Sequence, residues 1–210
     1  MDPLSELLNG DGTPDTCLHE RGYQYVAGVD EAGRGPLAGP VVASAVVFAP
    51  HWSHPEIADS KTLSPKKREN LFCVIRESAL AWNWALVEPD EIDRINILRA
   101  ALLAMKKAVE CLSLKPGYII VDGPHPISSN IPQTPIKRGD QKSLAIAAAS
   151  IMAKVVRDAI MGKYHTLYPR YNFAKNKGYG TREHLDALVR FGCCPIHRKS
   201  FKKVVPEQEG

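Results

Sequence analysis

Residues 28–40, GVDEAGRGPLAGP, place two adjacent acids, Asp30 and Glu31, directly after a short apolar run and then set Arg34 between two glycines. The valine-rich runs on either side, residues 25–29 and 41–48, are bounded by glycine and proline, a pattern typical of β-strands. The sequence therefore predicts two strands joined by a glycine-rich connection, with both carboxylates where the first strand ends.

The spacing of Gly33, Gly35 and Gly39 resembles a loosened dinucleotide-binding loop, which would suggest a nicotinamide or flavin enzyme. That loop must open a helix whose N-terminus holds a pyrophosphate, whereas Pro40 is followed here by the β-branched run VVASAVV. Asp30 and Glu31 would also repel the phosphates. We therefore rank this interpretation low.

Further elements follow from the local pattern. Strands are predicted at residues 81–87 and 118–121, and helices begin after the N-cap residues Ser64, Asn96, Ser143 and Thr181. Strands come first and helices gather later, which indicates an α/β fold with a mixed sheet flanked by helices and a small helical C-terminal region. The predicted division is a loosely ordered polar leader at 1–23, a main α/β domain at 24–165 and a basic helical region at 166–210.

Composition is that of an ordinary globular protein: 44% of the 210 residues are hydrophobic and 24% are charged. No apolar stretch is long enough to span a bilayer, and the N-terminus lacks the pattern of a secretory signal, so we expect a cytoplasmic protein without membrane contact. Five cysteines without a C-x-x-C pair are expected to be reduced thiols.

Basic charge is concentrated near the C-terminus. Residues 170–203 contain nine lysines and arginines against two acids, Glu183 and Asp186, whereas the whole chain has a net charge of +4. Such a concentration favours a polyanionic partner, most often nucleic acid, over a merely solvated surface.

The acids are better explained as ligands of a hard cation. Asp122 ends the predicted strand YIIVDG, so Asp30 and Asp122 meet if the two strands are neighbours, and Asp140 precedes the alanine-rich helix. Mg²⁺ accepts one or two carboxylates together with water and phosphate oxygens, and two such ions can clamp both reacting oxygens of a phosphodiester. The alternative is that each acid only caps a helix or ends a strand, the commoner situation for any one of them.

Three other features suit nucleic-acid binding, each with an ordinary alternative. Backbone without side chains at Gly33 and Gly35, beside Arg34, lets a sugar or phosphate come close, although glycines also serve simple surface turns. Lys61, in DSKTLSPKKR, is placed to hold a phosphate or to lie in a solvated turn. Tyr179, in KNKGYGT, is suited to stacking on a nucleotide or to an exposed turn.

Taken together, residues 26–201 resemble the ribonuclease HII family, the type 2 ribonucleases H of bacteria. Seven segments occur in the family's order: GVDEAGRGPLAGPVV, DSKTLS, INILRAALLAM, VDG, RGDQKS with IAAASIMAKVVRD, KGYGT and HRKSF. One departure is visible, because Arg138 interrupts the usual K-G-D and displaces Lys137, while the Gly-Asp pair remains.

The resemblance implies a ribonuclease H-like fold and an endonuclease that cuts the RNA strand of RNA–DNA hybrids. It also implies nicking of duplex DNA on the 5′ side of an embedded ribonucleotide, leaving a 3′-hydroxyl and a 5′-phosphate. The implied ligands of two Mg²⁺ or Mn²⁺ ions are Asp30, Glu31, Asp122 and Asp140. Gly33, Arg34 and Gly35 match the segment that reads the 2′-hydroxyl, and Tyr179 matches a tyrosine that stacks near the sugar.

Two alternatives stay open at this point. The same fold also supports DNA strand transfer or structure-selective cleavage, and a non-catalytic nucleic-acid-binding protein would retain the basic region with merely structural acids. For the ribonuclease, we expect a monomer whose substrates are RNA–DNA hybrids and ribonucleotide-containing duplex DNA.

Overall fold

A mixed β-sheet forms the centre of the computed structural model, which describes residues 12–58 and 63–204. Within these residues the sheet has five strands in the order β3-β2-β1-β4-β5. The strands are β1 (Val26–Ala32), β2 (Val41–Val47), β3 (Ala81–Val87), β4 (Tyr118–Asp122) and β5 (Gln133–Ile136). β1 pairs antiparallel with β2 and parallel with β4, so it lies at the centre of the sheet.

Helices cover both faces of this sheet. They are α1 (Pro14–Glu20), α2 (Pro55–Ala58), α3 (Pro65–Ser78), α4 (Pro89–Ile95), α5 (Ile97–Glu110), α6 (Leu144–Leu167), α7 (Phe173–Asn176) and α8 (Arg182–Phe191). The predicted N-caps are confirmed, because the side chains of Ser64, Asn96, Ser143 and Thr181 each accept a hydrogen bond from a first-turn N–H. The predicted mixed sheet flanked by helices is likewise confirmed.

Two elements that position the site differ from the prediction. β1 runs on to Ala32, so Asp30 and Glu31 lie within the strand rather than after it. The edge strand β5 was not predicted, because Pro135 interrupts its four residues and strand patterns with proline are weak.

The two faces of the sheet are packed by different helices. Ile120 and Val46 pack in one core with Ile146 of α6, while Ile119 and Ala45 pack in the other core with residues of α5. Successive residues of a strand point to opposite faces, so the valine- and isoleucine-rich strands fill both cores.

Helix α6 lies unusually close to β1 at Gly28. A Cβ atom built on Gly28 would stand 2.2 Å from the carbonyl carbon of Ala145 and 2.4 Å from the amide nitrogen of Ile146. The absence of a side chain at this position therefore sets the distance between the central strand and the helix that follows Asp140.

The expectation of a loosely ordered leader at 1–23 is wrong for Pro14–Glu20, which form α1. Leu18 is 1% exposed, and one carboxylate oxygen of Asp15 accepts hydrogen bonds from Ser143 Oγ and Ala145 N–H, both at 3.1 Å. The seven-residue helix is stabilised by these contacts with the start of α6, which no local pattern revealed. Residues 1–11 lie outside the described residues, and the division at 24 and 166 stays a prediction.

The C-terminal region packs against the end of α6. Phe173, Leu188 and Ile196 form a core with Met161 of that helix, and the region contains α7 and α8. Across the described ranges, no helix is both long and apolar enough to cross a membrane.

We predict opposite effects on stability for two glycine-to-alanine substitutions. Gly28→Ala should destabilise the protein by about 3 kcal/mol or more, because the new methyl group meets helix backbone that cannot rotate away. Gly162→Ala should stabilise it by about 0.5 to 1 kcal/mol, since Gly162 lies within α6 with open space around its Cα.

Urea unfolding followed by circular dichroism measures both effects. A neutral result for Gly28→Ala would contradict the close approach of β1 and α6.

Candidate active site

The predicted meeting of Asp30 and Asp122 follows from strand pairing. β1 and β4 are adjacent and parallel, with Val29 aligned with Val121. The next residue of each strand is an aspartate, so the two carboxylates lie at the same end of the sheet. The structure thus brings together two acids that are 92 positions apart in the chain.

Asp30 is a buried carboxylate, 6% exposed, at the centre of the sheet. Burial raises its pKa well above the ordinary 3.8, and the nearby charges of Glu31 and Asp122 raise it further. Hydrogen bonds from the Ser150 side chain and from Glu31 N–H, the latter at 2.7 Å, oppose this rise without cancelling it. A negative charge here is therefore unfavourable unless a cation balances it.

Glu31 is next to Asp30 and has one satisfied carboxylate oxygen. Its Oε1 accepts a hydrogen bond from Arg34 Nη1 at 3.1 Å, whereas Oε2 is buried and has no hydrogen-bond partner within residues 12–58 and 63–204. Burial raises the pKa of Glu31 and the Arg34 guanidinium lowers it, with a net upward shift. A buried carboxylate oxygen without a donor requires an explanation, and a role in binding a cation suits its charge.

Asp122 holds the turn that carries Asp140. Its Oδ1 accepts a hydrogen bond from Gly139 N–H at 2.6 Å, and Gly139–Gln141 form a single 3₁₀ turn. Burial raises the pKa of Asp122, and the charge of Asp140 contributes to the rise. A Cβ at Gly139 would lie 2.6 Å from Ile146 Cδ1, so glycine allows this turn to approach both Asp122 and α6.

The four acids do not form a closed cage for a metal ion. Among residues 12–58 and 63–204, no three His, Cys, Asp or Glu side chains are arranged to hold an ion by themselves. Mg²⁺ usually takes only one or two protein carboxylates and fills its other positions with water and phosphate oxygens. The open arrangement, with its repelling charges and the unpartnered Oε2 of Glu31, fits ions whose coordination the substrate completes.

A cavity of about 270 Å³ lies beside these acids. Some of the residues that line it were predicted as site residues from the sequence, and others were not. The lining residues are Glu31, Ala32, Gly33, Arg68, Asp140, Ser150, Ile151, Lys154 and Tyr179. The cavity is thus lined by two acids, Glu31 and Asp140, and by two cations, Arg68 and Lys154.

Arg68, Ser150 and Lys154 were not identified from the sequence. Arg68 ends the stretch DSKTLSPKKR, and its Nη2 donates to the Leu63 carbonyl at 2.9 Å. Lys154 lies one helical turn after Ser150 on α6 and pairs with Asp158 at 2.7 Å. The i, i+4 spacing of Ser150 and Lys154 after Asp140 was the available signal, because it places both on one face of α6.

The glycine-rich segment and Tyr179 are neighbours, as a joint role requires. A Cβ at Gly35 would lie 3.6 Å from the Tyr179 ring, and the tyrosine is 45% exposed. Gly33 has a φ of 97°, a conformation that favours glycine, and Arg34 is tied to Glu31. Lys61 lies outside the described residues.

The match to known proteins covers most of the chain. The family model described as Ribonuclease HII matches residues 27–204. A ribonuclease HII of Syntrophus aciditrophicus is 59% identical over 88% of this chain and 87% of its own length. A ribonuclease HII of Acholeplasma laidlawii is 54% identical over 90% of this chain and 93% of its own.

A solved structure agrees with this assignment. The crystal structure of ribonuclease H2 from Pyrococcus horikoshii superimposes with a TM-score of 0.70 at 28% identity. The superposition covers 86% of this chain and 95% of that one. With the family model and the relatives in agreement over nearly the whole described fold, the chain belongs to the ribonuclease HII family.

Proposed function

We propose that Asp30, Glu31, Asp122 and Asp140 hold the divalent ions of this enzyme, and that it nicks duplex DNA 5′ of an embedded ribonucleotide. The coarser activity follows from family membership: the chain is a metal-dependent endoribonuclease that acts on RNA–DNA hybrids. The observation that carries the proposal is the burial of Asp30 against Glu31 and Asp122, with no hydrogen-bond donor to Glu31 Oε2 in the part of the chain that the structure describes.

Two Mg²⁺ or Mn²⁺ ions, when bound with substrate, supply an activated water and stabilise the leaving 3′-oxygen. The protein's own part is to hold the reacting phosphate among fixed groups. Glu31 and Asp140 line the same cavity as the cations Arg68 and Lys154, which are candidates to bind phosphate oxygens. Hydrolysis by water leaves a 3′-hydroxyl and a 5′-phosphate and requires no covalent intermediate.

Recognition of the ribose is assigned to the segment Gly33, Arg34 and Gly35 together with Tyr179. The amide N–H groups of these three residues have no backbone acceptor among the described residues, so they are available to donate to a 2′-hydroxyl. The exposed Tyr179 ring faces Gly35 and is placed to stack against the sugar. Arg34 connects this segment to the acids through Glu31.

Three further assignments belong to the same proposal. Lys61 is a candidate phosphate contact, the basic residues at 166–210 contribute to duplex binding, and the enzyme acts as a cytoplasmic monomer. The support for the second is the concentration of nine basic residues in 170–203.

We predict that Asp30→Asn lowers nicking by about a thousandfold or more, because metal-ligating acids act as a unit. The same substitution should raise the unfolding temperature of the metal-free protein at pH 7. The folded-state pKa of Asp30 is above the ordinary 3.8, so the metal-free parent loses stability as pH rises from about 4 through that raised pKa. Asparagine removes the buried charge, so the advantage of the variant should vanish as pH falls toward 4.

Gel assays of nicking and thermal unfolding in EDTA make these two measurements. Asp90→Asn is the matched control, since Asp90 is exposed at the start of α4, and it should retain activity. Nicking by folded Asp30→Asn at the parent's rate would refute the assignment of Asp30.

We also predict that replacing the single ribonucleotide of a duplex by its deoxy form abolishes cleavage. A site that hydrogen-bonds a substrate hydroxyl rejects the analogue that lacks it, because its donors are left unpaired. Parallel nicking assays on two duplexes that differ only at that sugar measure the effect. Equal cutting of both would instead indicate a general or structure-selective nuclease.

A further inference from the structure

The carbonyl groups of the glycine-rich loop, residues 33–40, are held by two buried arginines that have no carboxylate partner among the described residues. Arg198 is 0% exposed, and its guanidinium donates only to main-chain oxygens at 2.6 to 3.0 Å. The acceptors are the carbonyls of Gly33, Arg34, Pro36 and Gly39. One side chain therefore holds the carbonyls along most of the loop.

Arg157 of α6 holds two further carbonyls of the loop. Its Nε donates to the Pro40 carbonyl at 3.0 Å and its Nη2 to the Ala38 carbonyl at 3.1 Å. Its Nη1 donates to the Lys177 carbonyl at 3.0 Å, which joins the loop to the turn that precedes Tyr179. A Cβ at Gly33 would lie 2.1 Å from Arg157 Nε, so glycine is needed for this packing.

The direction of these bonds bears on recognition. With the carbonyls bonded to Arg198, the N–H groups of Gly33, Arg34 and Gly35 are left without a backbone acceptor among the described residues. Gly33 also lines the cavity beside the acids. Arg198 thus fixes a loop conformation in which several donors remain for a ligand, and its five N–H groups suit such a fork of acceptors.

Two buried histidines hold Tyr179, and their bonding fixes both tautomers. His184 Nδ1 lies 2.9 Å from the Tyr179 carbonyl, which can only accept, so Nδ1 carries the proton. His184 Nε2 is then an acceptor, and the ring nitrogen that faces it at 3.0 Å is His197 Nε2, so the proton of His197 is on Nε2. His197 Nδ1 in turn accepts a hydrogen bond from Cys194 N–H at 2.9 Å, and its distance of 3.2 Å to the Cys194 carbonyl is then a contact without a hydrogen bond. His197 Nε2–H therefore donates to His184 Nε2 across 3.0 Å.

Both imidazoles are neutral in this arrangement. Burial lowers the pKa of His197 to about 4, helped by the neighbouring His184, and burial also lowers the pKa of His184. The bonds run in one direction, from Cys194 N–H through the two rings to the Tyr179 carbonyl.

The adjacent residues His197 and Arg198 therefore connect to both parts of the candidate ribose-recognition site. The backbone reinforces this, because Arg198 N–H donates to the Leu37 carbonyl and Gly39 N–H donates to the Ile196 carbonyl. Leu37 N–H in turn donates to the Gly178 carbonyl, so the loop lies between the 196–198 segment and the turn before Tyr179.

We infer that His197 and Arg198 are positioning residues for ribose recognition: Arg198 holds the loop that donates to the 2′-hydroxyl, and His197 holds Tyr179 through His184. The inference rests on the proposed function of that loop and tyrosine. It assigns to the C-terminal segment a role in substrate selectivity that is distinct from nonspecific attraction of the duplex.

Arg198→Lys tests the inference, because lysine keeps the charge but cannot bond four carbonyls at fixed angles. The substitution is made in an Asp30→Asn background, chosen to stop cleavage. Fluorescence anisotropy in Mg²⁺ then gives the Kd for two duplexes that differ only in one ribonucleotide or deoxyribonucleotide. We expect the preference for the ribonucleotide to fall by about tenfold, the contribution of one or two hydrogen bonds.

Arg99→Lys in the same background is the matched control, since Arg99 is exposed on α5, and it should keep the preference. An unchanged preference in folded Arg198→Lys would overturn the inference and leave the proposed function standing. If the Asp30→Asn protein itself bound both duplexes equally, that result would contradict the proposed recognition of the ribose. It would also contradict this inference, which rests on that recognition.

The part of the inference that concerns His197 and His184 is tested on the unsubstituted protein. This test therefore does not depend on whether a variant folds. Nitrogen-15 NMR of the imidazoles at pH 7 should show the Nδ1–H form of His184 and the Nε2–H form of His197. The opposite tautomer of His184 would break its bond to Tyr179, and the opposite tautomer of His197 would break its bond to His184, so either result would overturn this half of the inference.

Discussion

Burial of the Asp30 carboxylate in the central strand is the constraint on which the site depends. Asp30 is 6% exposed and lies beside Glu31 and level with Asp122. The negative charges of these two neighbours make the ionisation of Asp30 less favourable. A fold that only needed to be stable would place an apolar residue here, since β1 is otherwise buried between two helical layers. The ionised acids therefore carry a cost in free energy that a bound divalent cation would offset, which supports the proposed metal site at this end of the sheet.

Close backbone contacts and hydrogen bonds hold the surroundings of the acids in place. Gly28 lets α6 approach β1 until helix and strand backbones are in contact, and this fixes where Ser150 and Lys154 stand relative to Asp30. Asp122 holds the turn of Asp140 through Gly139 N–H. Arg157 and Arg198 hold the glycine-rich loop by its carbonyls. Preorganisation of this kind keeps the groups in place before substrate arrives.

Much of the fold was predictable because its signals are local. Short stretches of sequence were sufficient to predict the N-caps Ser64 and Ser143 and the valine-rich strands β1 and β2. The meeting of Asp30 and Asp122 was also predictable, since both end apolar strands and parallel strands bring their carboxyl ends together. The roles assigned to these acids stay predictions, as does that of Lys61.

The features that escaped prediction depend on distant main-chain partners. Arg157 and Arg198 donate hydrogen bonds to carbonyl oxygens of residues that lie 20 to 165 positions away. Every residue has a main-chain carbonyl, so the sequence does not show which of them accept these bonds. The helix α1 is likewise explained by Asp15, whose hydrogen-bond donors belong to Ser143 and Ala145.

The most direct test of the account is a nicking assay on a duplex that contains one embedded ribonucleotide, with Mg²⁺ and with EDTA. The account predicts a single nick on the 5′ side of the ribonucleotide, with 3′-hydroxyl and 5′-phosphate ends, only when Mg²⁺ or Mn²⁺ is present. Cleavage of equal extent in EDTA, or binding without any metal-dependent product, would contradict the central claim that the buried acids work through divalent ions.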